Sequence, residues 1–404
     1  MAYDVESVRA HFPALKDGTA FFDGPGGSQT PDVVAEAVAS TLLSPISNRG
    51  AVTASERRAD AIVLEARSAL GDLLAVDPGG IVFGRSATEL TFMMARTLSS
   101  GWGPGDEVVV TRLDHDANVR PWVIAAEARG ATVRFADFHP ATGELTPEDI
   151  AAVVTARTRL VAVTAASNLI GTRPDLPAIA RVTHEAGALL YVDGVHATAH
   201  VPVDMRAEGA DLWVCSPYKF LGPHHGVLAA DPALLATLHP GKLVPSSDAV
   251  PERFELGTLP YELLAGTCAA VDFLATLAGD GAQAGTRRER LVASFLALED
   301  HEDRLLARLE AELRAHTRVR LHSNAARRTP TLLLTFDGVD VQRVRGQLAE
   351  LDINAPAGNF YAWECSQHLG LGAEGGLRIG LAPYTNDSDV DRLLEGLDAA
   401  LDHA

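Results

Sequence analysis

The chain has 404 residues, with 53 Asp and Glu against 34 Lys and Arg and a formal net charge of -19. Hydrophobic residues make up 47% and charged residues 22%, a globular composition. The negative balance argues against nucleic acid and anionic membrane partners, which reward clustered Lys and Arg.

This length exceeds what one core ordinarily organises and predicts two domains. The start, Met1 to Glu6, lacks the basic and apolar segments of a signal peptide. No apolar run approaches the roughly 20 residues of a membrane span. Cys215, Cys268 and Cys365 have no paired spacing, so neither a disulfide framework nor a zinc site is expected. A reduced, cytoplasmic setting is the expectation.

In chain order, the first marked segment is Asp23-Gly24-Pro25-Gly26-Gly27-Ser28. It reads as a turn whose glycines also let backbone approach a substrate closely. It matches neither a Walker pattern nor a dinucleotide fingerprint. Strands are predicted at 80–84, 107–112, 132–135, 160–164, 188–192, 211–215 and 226–230, with helices at 121–129, 147–154 and 175–186. Gly187 is a plausible C-cap for the last. Most of these strands are continuously apolar, as when both faces are covered. The pattern predicts an α/β layered fold with a mostly parallel sheet.

After about residue 260 the pattern changes to an apolar helix (261–277), a long amphipathic helix (287–316), a strand (331–336) and a helix (341–351). An irregular stretch (354–362), a strand (376–381) and a last helix (388–401) follow. This predicts a large domain over 16–260 and a smaller α+β domain from 1–15 and 261–404, including a linker helix.

Polar residues follow several of the apolar strands. Ser86 and Glu89 have capping-box spacing around Ala87 and Thr88; the helix start is either a well-capped terminus alone or an anion site. His115 lies between Asp114 and Asp116, either in a surface turn or facing a ligand. Asn168, Asp193 and Ser216 each follow an apolar strand. They emerge at the end where open α/β sheets bind ligands. Lys219 ends the run Ser216-Pro217-Tyr218-Lys219 before Phe220-Leu221-Gly222-Pro223. A lysine in an apolar setting loses its proton near neutral pH and becomes nucleophilic. With Asp193 as the matching acid, it points to pyridoxal phosphate (PLP) held as a Schiff base. His224 and His225 are adjacent and point apart, which does not suit one metal ion.

These segments, together with Asn48-Arg49-Gly50, residues 254–258 and Arg378, occur in the order of a known family. From about residue 10 onward the chain resembles the class V aminotransferases among the fold type I PLP enzymes, in their cysteine desulfurase-like branch. The resemblance implies a large domain with a mixed, mostly parallel seven-stranded sheet and a smaller α+β C-terminal domain. It implies that Lys219 forms the internal aldimine, that Asp193 pairs with the pyridine nitrogen and that His115 stacks on the ring. Asn168 and His196 would lie near the ring hydroxyl. Ala87, Thr88, Ser216 and Tyr218 would bind the phosphate, and Thr258 would reach the site of a neighbouring subunit in a homodimer. Gly26, Gly27, Arg49, Asn359 and Arg378 would bind the substrate, with Arg378 on its carboxylate.

One departure bears on the reaction. Where desulfurases carry a mobile-loop cysteine, this chain reads Gly358-Asn359-Phe360-Tyr361-Ala362, with Tyr361 in the cysteine position. Cys365 lies about one helical turn on. The expectation is a C–S bond-cleaving lyase on cysteine or an S-substituted cysteine. Lys219 would take the α-proton, and Tyr361 would line the pocket or protonate the leaving group. The alternatives are an aminotransferase or epimerase, a true desulfurase using Cys365, and a non-catalytic α/β binding protein.

Overall fold

The computed structural model describes residues 3–279 and 284–402. A two-residue strand, β1 (Ala20–Phe21), comes first. The seven strands of the large sheet are β2 (Ile81–Gly84), β3 (Glu107–Thr111), β4 (Thr132–Ala136), β5 (Thr158–Thr164), β6 (Leu189–Asp193), β7 (Leu212–Cys215) and β8 (Gly226–Ala230). Their spatial order is β2-β8-β7-β6-β5-β3-β4, and β8 alone runs against the others.

Side chains alternate across this sheet, as the two-residue strand period requires. Val161, Val163, Leu190, Val192 and Trp213 enter one apolar cluster. Leu160, Ala162, Tyr191, Leu212 and Val214 enter another on the opposite face. Burial on both faces explains why these strands read as unbroken apolar runs.

The remaining strands are β9 (Val319–Leu321), β10 (Thr331–Phe336), β11 (Ile353–Asn354), β12 (Ala357–Gly358) and β13 (Gly376–Gly380). Four of them form an antiparallel sheet in the order β12-β13-β10-β9, and β1 pairs with β11. Ala20 and Phe22 join the core of this C-terminal region.

The helix Arg287–Ala315 connects the two sheets. Its Leu291, Phe295 and Leu298 pack into the first cluster, and Leu305, Leu309 and Leu313 into the C-terminal one. The spacing of three or four keeps one stripe inward for the whole length. Two helices unassigned from sequence, Asp32–Leu43 and Ala54–Leu74, lie ahead of the large sheet in the chain. Among the described residues, no helix is long and apolar enough to cross a membrane.

Candidate active site

The large sheet delivers polar residues to one edge. β6 ends on Asp193, which pairs with Thr164 on one side and Val214 on the other. Ser216 follows β7, and a 3-10 turn over Pro217–Lys219 carries the lysine. Beyond β3, the fully buried Asp114 carboxylate accepts hydrogen bonds from the Thr111 hydroxyl and, at 2.7 Å, from Asn118 Nδ2. Those bonds fix the turn that presents His115. A cavity of about 580 Å³ opens here, lined by Gly26, Ala87, Thr88, His115, Asn168 and Asp193. His196, Ser216, Tyr218, Lys219, Tyr361 and Arg378 also line it.

The charged groups perturb one another. Burial and the nearby Arg378 charge pull the Lys219 ammonium down to about 7, against the carboxylates of Asp193 and Asp23. Its Nζ donates to the Pro25 carbonyl and lies 5.0 Å from the Tyr218 ring centroid. Burial raises Asp193 to about 6, opposed by the Val195 N–H, 2.9 Å from Oδ1, and by Lys219. Burial, then Lys219 and Arg378, lower His115 to about 4. The ring is therefore neutral at pH 7, and because Nδ1 accepts the Ala117 N–H at 3.0 Å, its proton sits on Nε2. Burial, then the charges of His200, Lys219 and Arg378, push His196 well down, and its Nε2 contacts the hydroxyls of Thr329 and Thr331 at 2.9 Å each. Arg378 is pushed down by burial to about 9 and remains a cation at pH 7.

Four sequence candidates lie outside the cavity of this chain. Gly27 is covered by the Tyr218 ring. The Arg49 guanidinium is engaged by Asp60 at 2.8 Å and Glu252 at 3.2 Å. Asn359 shapes its own loop, donating to the Ala373 carbonyl and accepting the Tyr361 N–H. Thr258 is exposed. The predicted capping box is half made: Ser86 accepts the Glu89 N–H at 3.1 Å, but Glu89 turns to the Arg85 N–H at 3.4 Å.

The structure adds Asp23, Phe360, Asp116 and Arg120 to the picture. Asp23 is electrostatically coupled to both Lys219 and Arg378. Phe360, Asp116 and Arg120 line the cavity. The glycine-rich loop was the only signal for Asp23, and nothing local marked Phe360.

The cavity offers unpartnered polar groups to an anionic or polar ligand. The N–H groups of Ala87 and Thr88 open the helix Ala87–Leu98 and have no intrahelical acceptor. Gly226 makes room beside them, since a Cβ there would stand 2.3 Å from the Ser86 carbonyl carbon. Asn168 Oδ1 and Arg378 Nε are buried without a partner, as if awaiting polar groups of a ligand.

The aminotransferase class-V family profile matches residues 20–393. The chain belongs to the class V aminotransferase family. It is 34% identical over 399 residues to the uncharacterized protein MT3887 of Mycobacterium tuberculosis, covering 98% of this chain and 99% of that one. It is 30% identical to the aminotransferase-like protein FGM3 of Gibberella zeae, covering 99% of each. Its fold resembles the crystal structure of the cysteine desulfurase CsdA from Escherichia coli, with a TM-score of 0.86, 28% identity and full coverage of both chains. This is a PLP-dependent enzyme of the cysteine desulfurase-like type with the fold type I architecture. The donor set of the cavity fits that cofactor: a lysine amine, a carboxylate and the free N–H groups of a helix start.

Proposed function

We propose that the enzyme cleaves the C–S bond of cysteine or an S-substituted cysteine by β-elimination. The observation that carries this reading is the absence of a thiol from the cavity. By the resemblance, Tyr361 falls where desulfurases carry their cysteine, and none of the three cysteines lines the cavity. Cys365 is fully buried, and burial raises its thiol far above the ordinary range. Such a thiol is inert as a nucleophile.

In this reading the Ala87 and Thr88 amides, Ser216 and Tyr218 would hold the PLP phosphate, and Asp193 would hold a proton at its ring nitrogen. His115 would pack on the ring, and Asn168 and His196 would bind its hydroxyl. When bound, PLP supplies an electron sink for the pair left by a broken Cα–H bond. Arg378 orients the substrate α-carboxylate. Lys219, with its lowered pKa, takes the α-proton at Nζ. The Cβ–S bond then breaks and sulfur leaves with the electron pair, which the Tyr361 phenol protonates. The balance is one S-substituted cysteine and one water to one thiol, one pyruvate and one ammonium.

The enzyme acts as a homodimer in this account. Thr258 is exposed beside Leu256, at 56% exposure, and Arg49 ties this region to the segment carrying Leu43 and Val52, at 88% and 84%. Thr258 would complete the phosphate site of the other subunit. Sedimentation as a monomer at assay concentration would exclude this.

A second reading, sulfur transfer through Cys365, is favoured by the similarity to CsdA. It requires the helix Trp363–His368 to unfold and expose that thiol. A Cys365→Ala enzyme with full sulfur release excludes it. A screen of S-substituted cysteines and their sulfoxides for pyruvate tests the lyase reading. Transamination instead gives an α-keto acid that keeps the side chain, and epimerisation gives the D-amino acid.

A further inference from the structure

The loop that replaces the desulfurase cysteine loop has an unusual backbone. Phe360 and Tyr361 have φ of 53° and 59°, a left-handed region that bulky side chains rarely enter. Three hydrogen bonds hold it there. Asn168 Nδ2 donates to the Phe360 carbonyl at 3.0 Å, the Asp116 N–H donates to the Tyr361 carbonyl at 2.7 Å, and the Tyr361 N–H donates to Asn359 Oδ1 at 3.1 Å.

This backbone lays the Phe360 ring against Arg378, whose Cζ stands 3.6 Å from the ring centroid. The guanidinium is thereby fixed from its face as well as by its edge. At that edge Nη1 donates to the Asn168 carbonyl at 2.9 Å, while the buried Nε has no acceptor. Asn168 thus holds both members of the stack, one through its carbonyl and the other through its side-chain amide. The unused Nε–H lies in the guanidinium plane, so its acceptor must lie in that plane too. A carboxylate satisfies that geometry.

We propose that Phe360 is a positioning residue that clamps Arg378 by its face and reserves its in-plane edge for the α-carboxylate of the substrate. This rests on the reading of Arg378 as carboxylate anchor. The loop accordingly acts as a fixed wall of the carboxylate site.

The test is spectroscopic titration of the PLP-loaded enzyme with S-methyl-L-cysteine and with 2-(methylthio)ethylamine, which lacks the carboxylate. Phe360→Leu is expected to weaken amino-acid binding roughly tenfold, from loss of the cation–π contact, and to leave amine binding unchanged. Phe360→Tyr, which keeps the ring, is expected to restore it. Equal weakening of both probes by Phe360→Leu, or weakening of neither, overturns the clamp. Arg378→Gln separates the two levels: unchanged amino-acid binding in that variant overturns the carboxylate reading itself, and the clamp with it. Cofactor affinity measured on each variant detects a misfolded site.

Discussion

Tyr361 stacks on His115, with ring centroids 5.6 Å apart and planes inclined by 30°. One residue thereby packs on the ring assigned to the cofactor face and lines the cavity while remaining 75% exposed. A desulfurase cysteine at this place would attack sulfur; a phenol can only give it a proton. Tyr361→Phe keeps the stack and removes the proton. Turnover of thioether substrates should fall roughly 10² to 10⁴-fold, the range for a lost general acid. S-phenyl-cysteine, whose arenethiolate leaving group is less basic than an alkanethiolate, should be hurt less. Equal loss on both substrate types would remove Tyr361 from proton transfer.

Lys219 titrates far below an ordinary lysine because burial and Arg378 disfavour its charge. The apo-protein should therefore capture PLP at a rate that rises with pH and levels off above about 7. Stopped-flow absorption across a pH series checks this. A rate still climbing towards pH ~10, as for a free lysine, contradicts it. The linkage has the same sign. Between about 7 and 10.5 the folded chain binds fewer protons at Lys219 than the unfolded chain, so this group's contribution to stability rises with pH across that window.

Gly226 lets β8 lie against the start of the helix Ala87–Leu98. A methyl group there would meet backbone at 2.3 to 2.7 Å, contacts that no rotamer change relieves. Gly226→Ala should push Ser86 and Ala87 outward and weaken PLP binding by at least ~10-fold, about 1.4 kcal/mol. Equilibrium dialysis with the apo-protein measures it. Wild-type affinity would mean that these amides do not hold the phosphate.

The edge strand β2 is closed by a buried ion pair. Arg67 donates to the Ile81 carbonyl and, at 2.9 Å, to Glu255, and Glu255 accepts the Phe83 N–H at 3.0 Å. Arg67→Ala strands a buried carboxylate and should cost about 3–5 kcal/mol, read from chemical unfolding of the apo-protein. A loss under ~1 kcal/mol, typical of exposed pairs, would show that solvent screens this pair.

The seven strands of the large sheet were legible because parallel strands buried on both faces leave unbroken apolar runs, and their ends carried most of the cavity residues. The helix Ala54–Leu74 was not legible because its buried face mixes small residues (Ala59, Ala66, Ala69, Gly71) and Arg67 with its leucines, which blurs the helical period. The strands β1 and β11 have two residues each and no pattern to read. Asp23 and Phe360 act through partners more than 300 and about 20 residues away in sequence, such as Asn354 and Arg378. Those contacts exist only once the C-terminal strands pack against the Asp23 loop and the Phe360 loop. Local spacing carries no trace of them.

Product analysis after incubation with L-cysteine and S-methyl-L-cysteine tests the central claim most directly. The account predicts pyruvate, ammonium and sulfide or thiol in equal amounts, unchanged in Cys365→Ala and abolished in Lys219→Ala. Alanine with sulfur retained on the protein, or a keto acid that keeps its sulfur, would contradict it.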